Sequence, residues 1–174
     1  MRRKPAGRRR RQRSPTIGRT IFRVVCGSVG AVFAILAYAF LTLPDVRLLA
    51  HTNPSTTAFM ELRAEQAHSR GMPARHDQRW VSYDRISPHL TRAVLVAEDD
   101  AFWQHEGVDF EQLEESLELD WARGRLVRGA STITQQLAKN LYLSPSKNPL
   151  RKFRELVIAR RLEAELTKAR IFEL

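Results

Sequence analysis

The sequence predicts a mainly α-helical protein, with one long apolar helix near the N-terminus and a helical domain after it. Three observations lead there. Twenty consecutive residues, Val24 to Leu43, carry no charge. Helix-start signals recur downstream at Ser87-Pro88, Asp109, Ser131, Asn148-Pro149 and Thr167. Each places a side-chain acceptor where the first N–H groups of a helix lack partners. No internal repeat and no strand-rich sheet pattern is present.

The apolar run follows a strongly basic tail. Residues 1–23 hold ten Lys and Arg and no acid, so the remaining chain has 19 basic and 19 acidic groups. The net charge of +10 therefore belongs to the tail, not to a nucleic-acid-binding face of the folded part. A helix over 24–43 rises about 1.5 Å per residue, enough to cross a hydrocarbon core of about 30 Å. The basic flank predicts a cytoplasmic tail, with everything after Leu43 outside. A cleaved leader is the competing reading, because Ala37-Tyr38-Ala39 fits a small-x-small processing site. The apolar run continues past it to Leu43, which suits an anchor better. The lone cysteine, Cys26, lies inside this run, so no intrachain disulfide can form.

Residues 44–79 read as a membrane-proximal linker. Pro44-Asp45 ends the apolar helix, 51–57 is loop-like, and Ala58 to Arg70 can form a short amphipathic helix before Gly71-Met72-Pro73. Trp80 to Tyr83 has strand-like alternation and reads as a short extended lead into the domain at 80–174. There, Ser87 caps a helix running to about Glu98, and Asp109 caps Phe110 to about Arg123, which Gly124 ends. Ser131 caps a helix through Leu141, and Asn148-Pro149 starts one whose Leu150, Phe153 and Val157 form an inward face.

Three polar blocks stand out against this frame. The first is Glu98-Asp99-Asp100-Ala101-Phe102-Trp103-Gln104-His105-Glu106-Gly107. A carboxylate such as Glu98, at the end of an apolar helix, can be partly desolvated, which raises its pKa and makes it a usable base. Judged alone, Glu98 reads more readily as a plain surface acid beside Asp99 and Asp100. His105 lacks a second histidine at the spacing of a zinc helix, and no metal-ligand set is visible. The second block runs from Gly129 to Asn140. Its Ser131, Thr132 and Thr134 can cap a helix or hold phosphate and sugar hydroxyls. Gln135 and Gln136 point to different faces, so one of them at most faces a ligand fully. Lys139, one turn after Gln135, can set its ammonium against a diphosphate, and Asn140 braces the helix. In the third block, Arg151-Lys152-Phe153-Arg154-Glu155, the i,i+4 pair Arg151–Glu155 can be an ordinary surface contact.

Taken in order, the blocks have the forms E-D-x-x-F-x-x-H-x-G, G-x-S-T-I-T-Q-Q-x-x-K-N and R-K-x-x-E. These resemble the first three motifs of the monofunctional biosynthetic peptidoglycan glycosyltransferases, over roughly Trp80 to Leu174. The resemblance implies a lysozyme-like helical domain that polymerises lipid II into β-1,4-linked glycan, releasing undecaprenyl diphosphate. It implies Glu98 as the base for the acceptor 4-hydroxyl and Glu155 as a second essential acid. It assigns Lys139, Arg151 and Lys152 to the anionic substrate. Ser131, Thr132, Gln135, Gln136, Asn140, Asp99, His105 and Lys147 are carried over as further substrate-binding positions. No cofactor is required, although Mg²⁺ or another divalent ion can share the diphosphate charge. The implied partners are lipid II, the growing lipid-linked glycan and the cell-wall synthesis machinery, at the cytoplasmic (inner) membrane with the domain outside.

Residues 168–174 resemble the start of a fourth motif that ordinarily continues further, so a C-terminally truncated domain is expected. Ser144-Pro145-Ser146-Lys147 matches a penicillin-binding S-x-x-K motif, but no K-T-G follows and the match is read as coincidence. Two alternatives stay open: a muramidase-type hydrolase using a similar glutamate, and a catalytically incomplete membrane-tethered fragment whose basic tail binds nucleic acid or anionic lipid.

Overall fold

A computed structural model describes residues 16–74, 77–124, 129–146 and 148–174. It is helical throughout, with no strand among the described residues. The chain forms two compact units, residues 1–42 and 43–174.

The first unit contains α1, Thr16–Leu41. Its segment Gly18–Leu41 is long and apolar enough to cross a membrane. The helix begins before the charge-free run, because Arg19 and Arg23 continue it without a break. Long basic side chains are tolerated at such an end, where they can reach toward the interface.

The second unit opens with an irregular strap and a short 3-10 turn, Arg47–Ala50. Arg47 grips Asp45 with two guanidinium hydrogen bonds and one from its backbone N–H, each 3.0 Å, and holds that carboxyl below its usual range. Next come α2 (Ala58–Ser69), capped by the Thr57 hydroxyl, and a 3-10 turn at Tyr83–Arg85. No residue of α2 is fully buried, so the amphipathic face expected there is only half covered. Trp80 to Tyr83 pairs with no strand and runs directly into the 3-10 turn.

The remaining helices are α3 (Pro88–Glu98), α4 (Phe110–Arg123), α5 (Ile133–Tyr142), α6 (Pro149–Glu165) and α7 (Lys168–Glu173). Their boundaries follow local chemistry. Pro88 and Pro149 occupy first turns, where a missing N–H costs nothing. Asp109, Asn148 and Thr167 accept first-turn N–H groups through their side chains. Gly124 closes α4 in the left-handed region at φ 62°. Two expected caps differ. Ser87 stands at the right position, but its side chain makes no capping bond. At α5 the cap is Thr132, not Ser131: the Thr132 hydroxyl accepts the Gln135 N–H at 3.2 Å.

The core lies where α5 packs on α6 and α7 closes the end. α5 supplies Leu137, Ala138 and Leu141, and α6 supplies Ile158, Ala159 and Leu162. Ile171 comes from α7, Val46 and Leu49 from the strap. The expected inward face of α6 is therefore corrected: Leu150 is 38% and Phe153 43% exposed, and the buried stripe is Glu155, Ile158, Ala159 and Leu162. α4 remains peripheral, with Phe110, Leu117 and Trp121 exposed.

Phe102 anchors the loop between α3 and α4 in this core. It is fully buried, meets Trp103 edge-on at 5.1 Å and Phe172 at 5.8 Å, and lies 4.4 Å beneath the Lys168 ammonium. Phe102→Ala is expected to lower stability by about 3–5 kcal/mol. Chemical denaturation of detergent-solubilised protein, followed by circular dichroism, measures this; a loss below about 1 kcal/mol would contradict the anchoring role.

Candidate active site

The three polar blocks meet around the N-terminal turn of α5. Asp99 is the hinge of the arrangement. Its carboxylate is 2% exposed, and Oδ2 accepts the Ile133 N–H at 2.8 Å. The two carboxylate oxygens also meet His105 Nε2, at 2.9 and 3.1 Å. On the other side of the ring, Nδ1 accepts the Gly107 N–H at 3.1 Å. That pattern assigns the proton to Nε2, which donates to Asp99. An acid at a helix N-terminus also complements the positive end of the helix dipole. The loop 99–109 and the start of α5 are thus one hydrogen-bonded body.

Gly107 completes it from the opposite side. Its carbonyl accepts the Thr132 hydroxyl at 2.8 Å and the Gln135 amide at 3.4 Å. Its φ is +88°, and a Cβ there would stand 3.1 Å from Glu163 Cγ and 3.2 Å from the Ala159 carbonyl oxygen. Only glycine fits both the backbone conformation and this approach to α6.

Asp99, His105 and Thr132 were expected to bind substrate, and here the structure differs. The side chain of His105 is 8% exposed and Thr132 is fully buried, each with its polar atoms committed to protein partners. They tie the loop 99–109 to the start of α5. Asn140 differs in the other direction: it is exposed and braces nothing among the described residues. Lys147 and the first fifteen residues of the basic tail lie outside the described residues.

Glu98 is exposed, unlike Asp99 beside it. The desolvation expected from the apolar helix before it is absent, because α3 ends at the surface. Its Oε2 accepts the Gln136 amide at 3.0 Å, and the same amide lies 3.5 Å from the Ser131 carbonyl. Gln135, on the other face of the turn, is 2% exposed and turned inward, as the spacing of the two glutamines requires.

Glu155 sits at the far end of this network, 3% exposed on α6. It pairs with Arg151 through one oxygen and with Lys152 through the other, at 2.5 Å for the lysine. Lys152 also donates to Ser131 Oγ at 3.2 Å and Gln135 Oε1 at 3.1 Å. Arg151 donates to the Ser146 carbonyl as well. The Arg151–Glu155 pair is therefore not a surface contact. With one carboxylate held between two cations, the cluster carries a net positive charge. Lys139 is a third cation, one turn after Gln135 on α5: it is half-buried, with no side-chain hydrogen bond or ion pair among the described residues. Glu98 and Glu155, far apart in sequence, thus connect through Gln136 and Ser131 on one side and Lys152 on the other.

One further group was not anticipated from the sequence. Glu163, on α6, accepts the Thr134 hydroxyl at 2.6 Å and the Lys168 ammonium at 2.8 Å. The available signal was a carboxylate directly after Leu162 in the buried stripe of α6.

A family model described as transglycosylase matches residues 64–174. The chain is 47% identical over 143 residues to a biosynthetic peptidoglycan transglycosylase of Aromatoleum aromaticum, an alignment covering 82% of this chain and 61% of that relative. It is 42% identical over 143 residues to the protein of the same name in Nitrosospira multiformis, covering 82% and 62%. With the one from Dechloromonas aromatica it shares 41% over 157 residues, covering 90% and 67%. The chain thus spans about three fifths to two thirds of the length of these relatives.

Asp99→Asn tests the hinge. An amide with its oxygen at the Oδ2 position keeps the Ile133 N–H bond but sets its NH₂ 2.9 Å from His105 Nε2, donor against donor. A loss of about 1–3 kcal/mol is expected in denaturant titrations, together with a shifted His105 ring signal in NMR spectra. An unchanged stability and an unchanged ring signal would refute the role.

Proposed function

The chain belongs to the transglycosylase family, and on that premise we propose that it polymerises lipid II into β-1,4-linked glycan strands. The observation that carries the proposal is the linkage of Glu98 to Glu155 across the start of α5, with uncompensated positive charge alongside. An exposed acid with one oxygen held by an amide, linked to a cationic cluster, suits an attack that releases a diphosphate.

The acceptor's 4-hydroxyl meets Glu98, which Gln136 holds in orientation. Glu98 takes the proton as the oxygen attacks the donor anomeric carbon. The bond from that carbon to the diphosphate breaks, and its electron pair leaves with undecaprenyl diphosphate. Attack from the opposite face inverts the α-linked donor to a β-linkage. Lys139 and the Arg151–Lys152 pair offset the charge growing on the leaving group. Glu155 sets the direction of both cations and contacts the substrate only through them. Ser131 and Gln136 lie where a sugar can meet them; Asp99, His105 and Thr132 act from below. Water leaves Glu98 when substrate covers it, which supplies the desolvation that the free protein lacks.

A divalent ion such as Mg²⁺ at the diphosphate can share that charge; among the described residues no group of three or more His, Cys, Asp or Glu is placed to hold one. The apolar segment Gly18–Leu41 serves as a single-pass anchor in the cytoplasmic membrane, its basic flank inside and the domain outside. Both substrates are bilayer-bound, so tethering raises their effective concentration.

Polymerisation of labelled lipid II by detergent-solubilised protein is the test. The unvaried chain should extend glycan, and Glu98→Gln should lower kcat by about 10²-fold or more without altering the circular dichroism spectrum. Shortening of preformed glycan in place of extension would favour a hydrolase. Full activity in the Glu98→Gln variant would refute the assignment of the base.

A further inference from the structure

We infer that Glu163 is a positioning residue for the reaction proposed above: through Thr134 it fixes the rotation of α5 about its axis, and so aims both Gln136 at Glu98 and Gln135 at Lys152. The inference rests on that reading of function for its kinetic consequence, and on geometry alone for its structural one.

The geometry is that of a three-way junction. The Glu163 side chain is 8% exposed. Its Oε1 accepts from Thr134 on α5 and from Lys168 on α7, at 2.6 and 2.8 Å. Its Cγ is the atom that a Cβ on Gly107 would meet first, at 3.1 Å. The same Lys168 lies over the Phe102 ring. One carboxylate therefore joins α5, α6, α7 and the loop that carries the first motif.

Thr134 is fully buried and immediately precedes the two glutamines. Successive residues of a helix are spaced by about 100°, so fixing the azimuth of Thr134 fixes those of Gln135 and Gln136. These two side chains are the links to Lys152–Glu155 and to Glu98 respectively. Asp99 and the Thr132 hydroxyl hold the tip of α5 through backbone N–H groups, which sets where the helix starts. The Thr132–Gly107 bond is made before the first helical residue. The Thr134–Glu163 bond grips the first turn by a side chain of the helix itself, and it reaches α6, the element that also carries Glu155.

The experiment compares Thr134→Val, Thr134→Ser and Glu163→Gln in the full chain, using lipid II polymerisation, thermal unfolding and residue-resolved amide exchange. Thr134→Val removes the hydroxyl and leaves the Glu163–Lys168 pair in place. It should lower kcat by about five-fold or more with KM little changed, as expected when reacting groups are misaligned. Amide exchange at 133–136 should accelerate while exchange in α4 does not. Thr134→Ser restores the hydroxyl and should recover kcat and slow exchange. Glu163→Gln keeps an acceptor oxygen for Thr134 and should fall between them. A merely structural role would lower the melting temperature and kcat together in all three variants, and that result overturns the inference. So does a Thr134→Val protein with normal kcat and normal exchange, or a Thr134→Ser protein as impaired as the valine one. If the unvaried chain polymerises nothing, the proposed function fails, and the exchange pattern at 133–136 alone decides whether Glu163 sets the helix.

Discussion

The site depends first on a buried carboxylate, Asp99. A lone charge in an interior is costly unless its oxygens are fully hydrogen-bonded. Asp99 meets that condition through the His105 ring and the Ile133 N–H, at the positive end of α5. His105 can donate to it because its other nitrogen is occupied by the Gly107 N–H. Gly107 can be there because it lacks a Cβ that would meet α6. Each member is acceptable only with the others in place, so three residues spaced along nine positions of sequence behave as a unit. The loop is pinned at its middle as well, by Phe102 in the core.

The second layer consists of charges shared across the seam between α5 and α6. Glu155 and Glu163 are both acidic side chains on a mainly apolar face, and each is neutralised by cations from its own helix or from α7. Removing one partner of such a cluster leaves a buried charge without compensation, at a cost of about 3–5 kcal/mol. An apolar seam of the same shape could be as stable. What ions add is direction: a carboxylate accepts along defined lines, whereas Leu137 against Ile158 would tolerate a small rotation of α5. α7 matters for the same reason. Lys168 reaches inward to Glu163, while Arg170 ties the helix to the strap through the Leu49 and Thr52 carbonyls and Asn53.

Much of this was legible in the sequence because it is local. Asp109, Asn148-Pro149, Thr167 and Gly124 mark helix ends through bonds to residues two to four positions away, and those ends fall where expected. The motifs named Glu98 and Glu155 together, and the structure links them through Gln136, Ser131 and Lys152. What was not legible is non-local. α6 offers two stripes at helical spacing, and Leu150–Phe153–Val157 looks the more apolar because the other contains Glu155. The stripe with the acid is the buried one, since two cations cancel its charge. Ser131 and Thr132 are equally good caps by type. Lys152, twenty-one positions away from Ser131, claims the Ser131 hydroxyl and leaves the capping to Thr132. Asp99 next to Glu98 is the sharpest case. Two adjacent acids of nearly the same chemistry take opposite fates, one enclosed and one in solvent, because the chain turns out of α3 between them.

That contrast bears on how an exposed base can serve the proposed reaction. A carboxylate held fully enclosed would have its lone pairs filled by protein donors, as those of Asp99 are, and would have none to offer a hydroxyl. Among the described residues Glu98 has a single side-chain donor, the Gln136 amide, on one oxygen. The other oxygen is left for a substrate proton. The direction in which it points is set from the protein side, and its desolvation is set by whatever sugar covers it. Reactivity would then appear only with both substrates in place, which protects the donor's anomeric carbon from water. The hydrogen-bonded part of the site is thus the part below α5, and Glu98, the acid proposed to react, stands exposed at its edge.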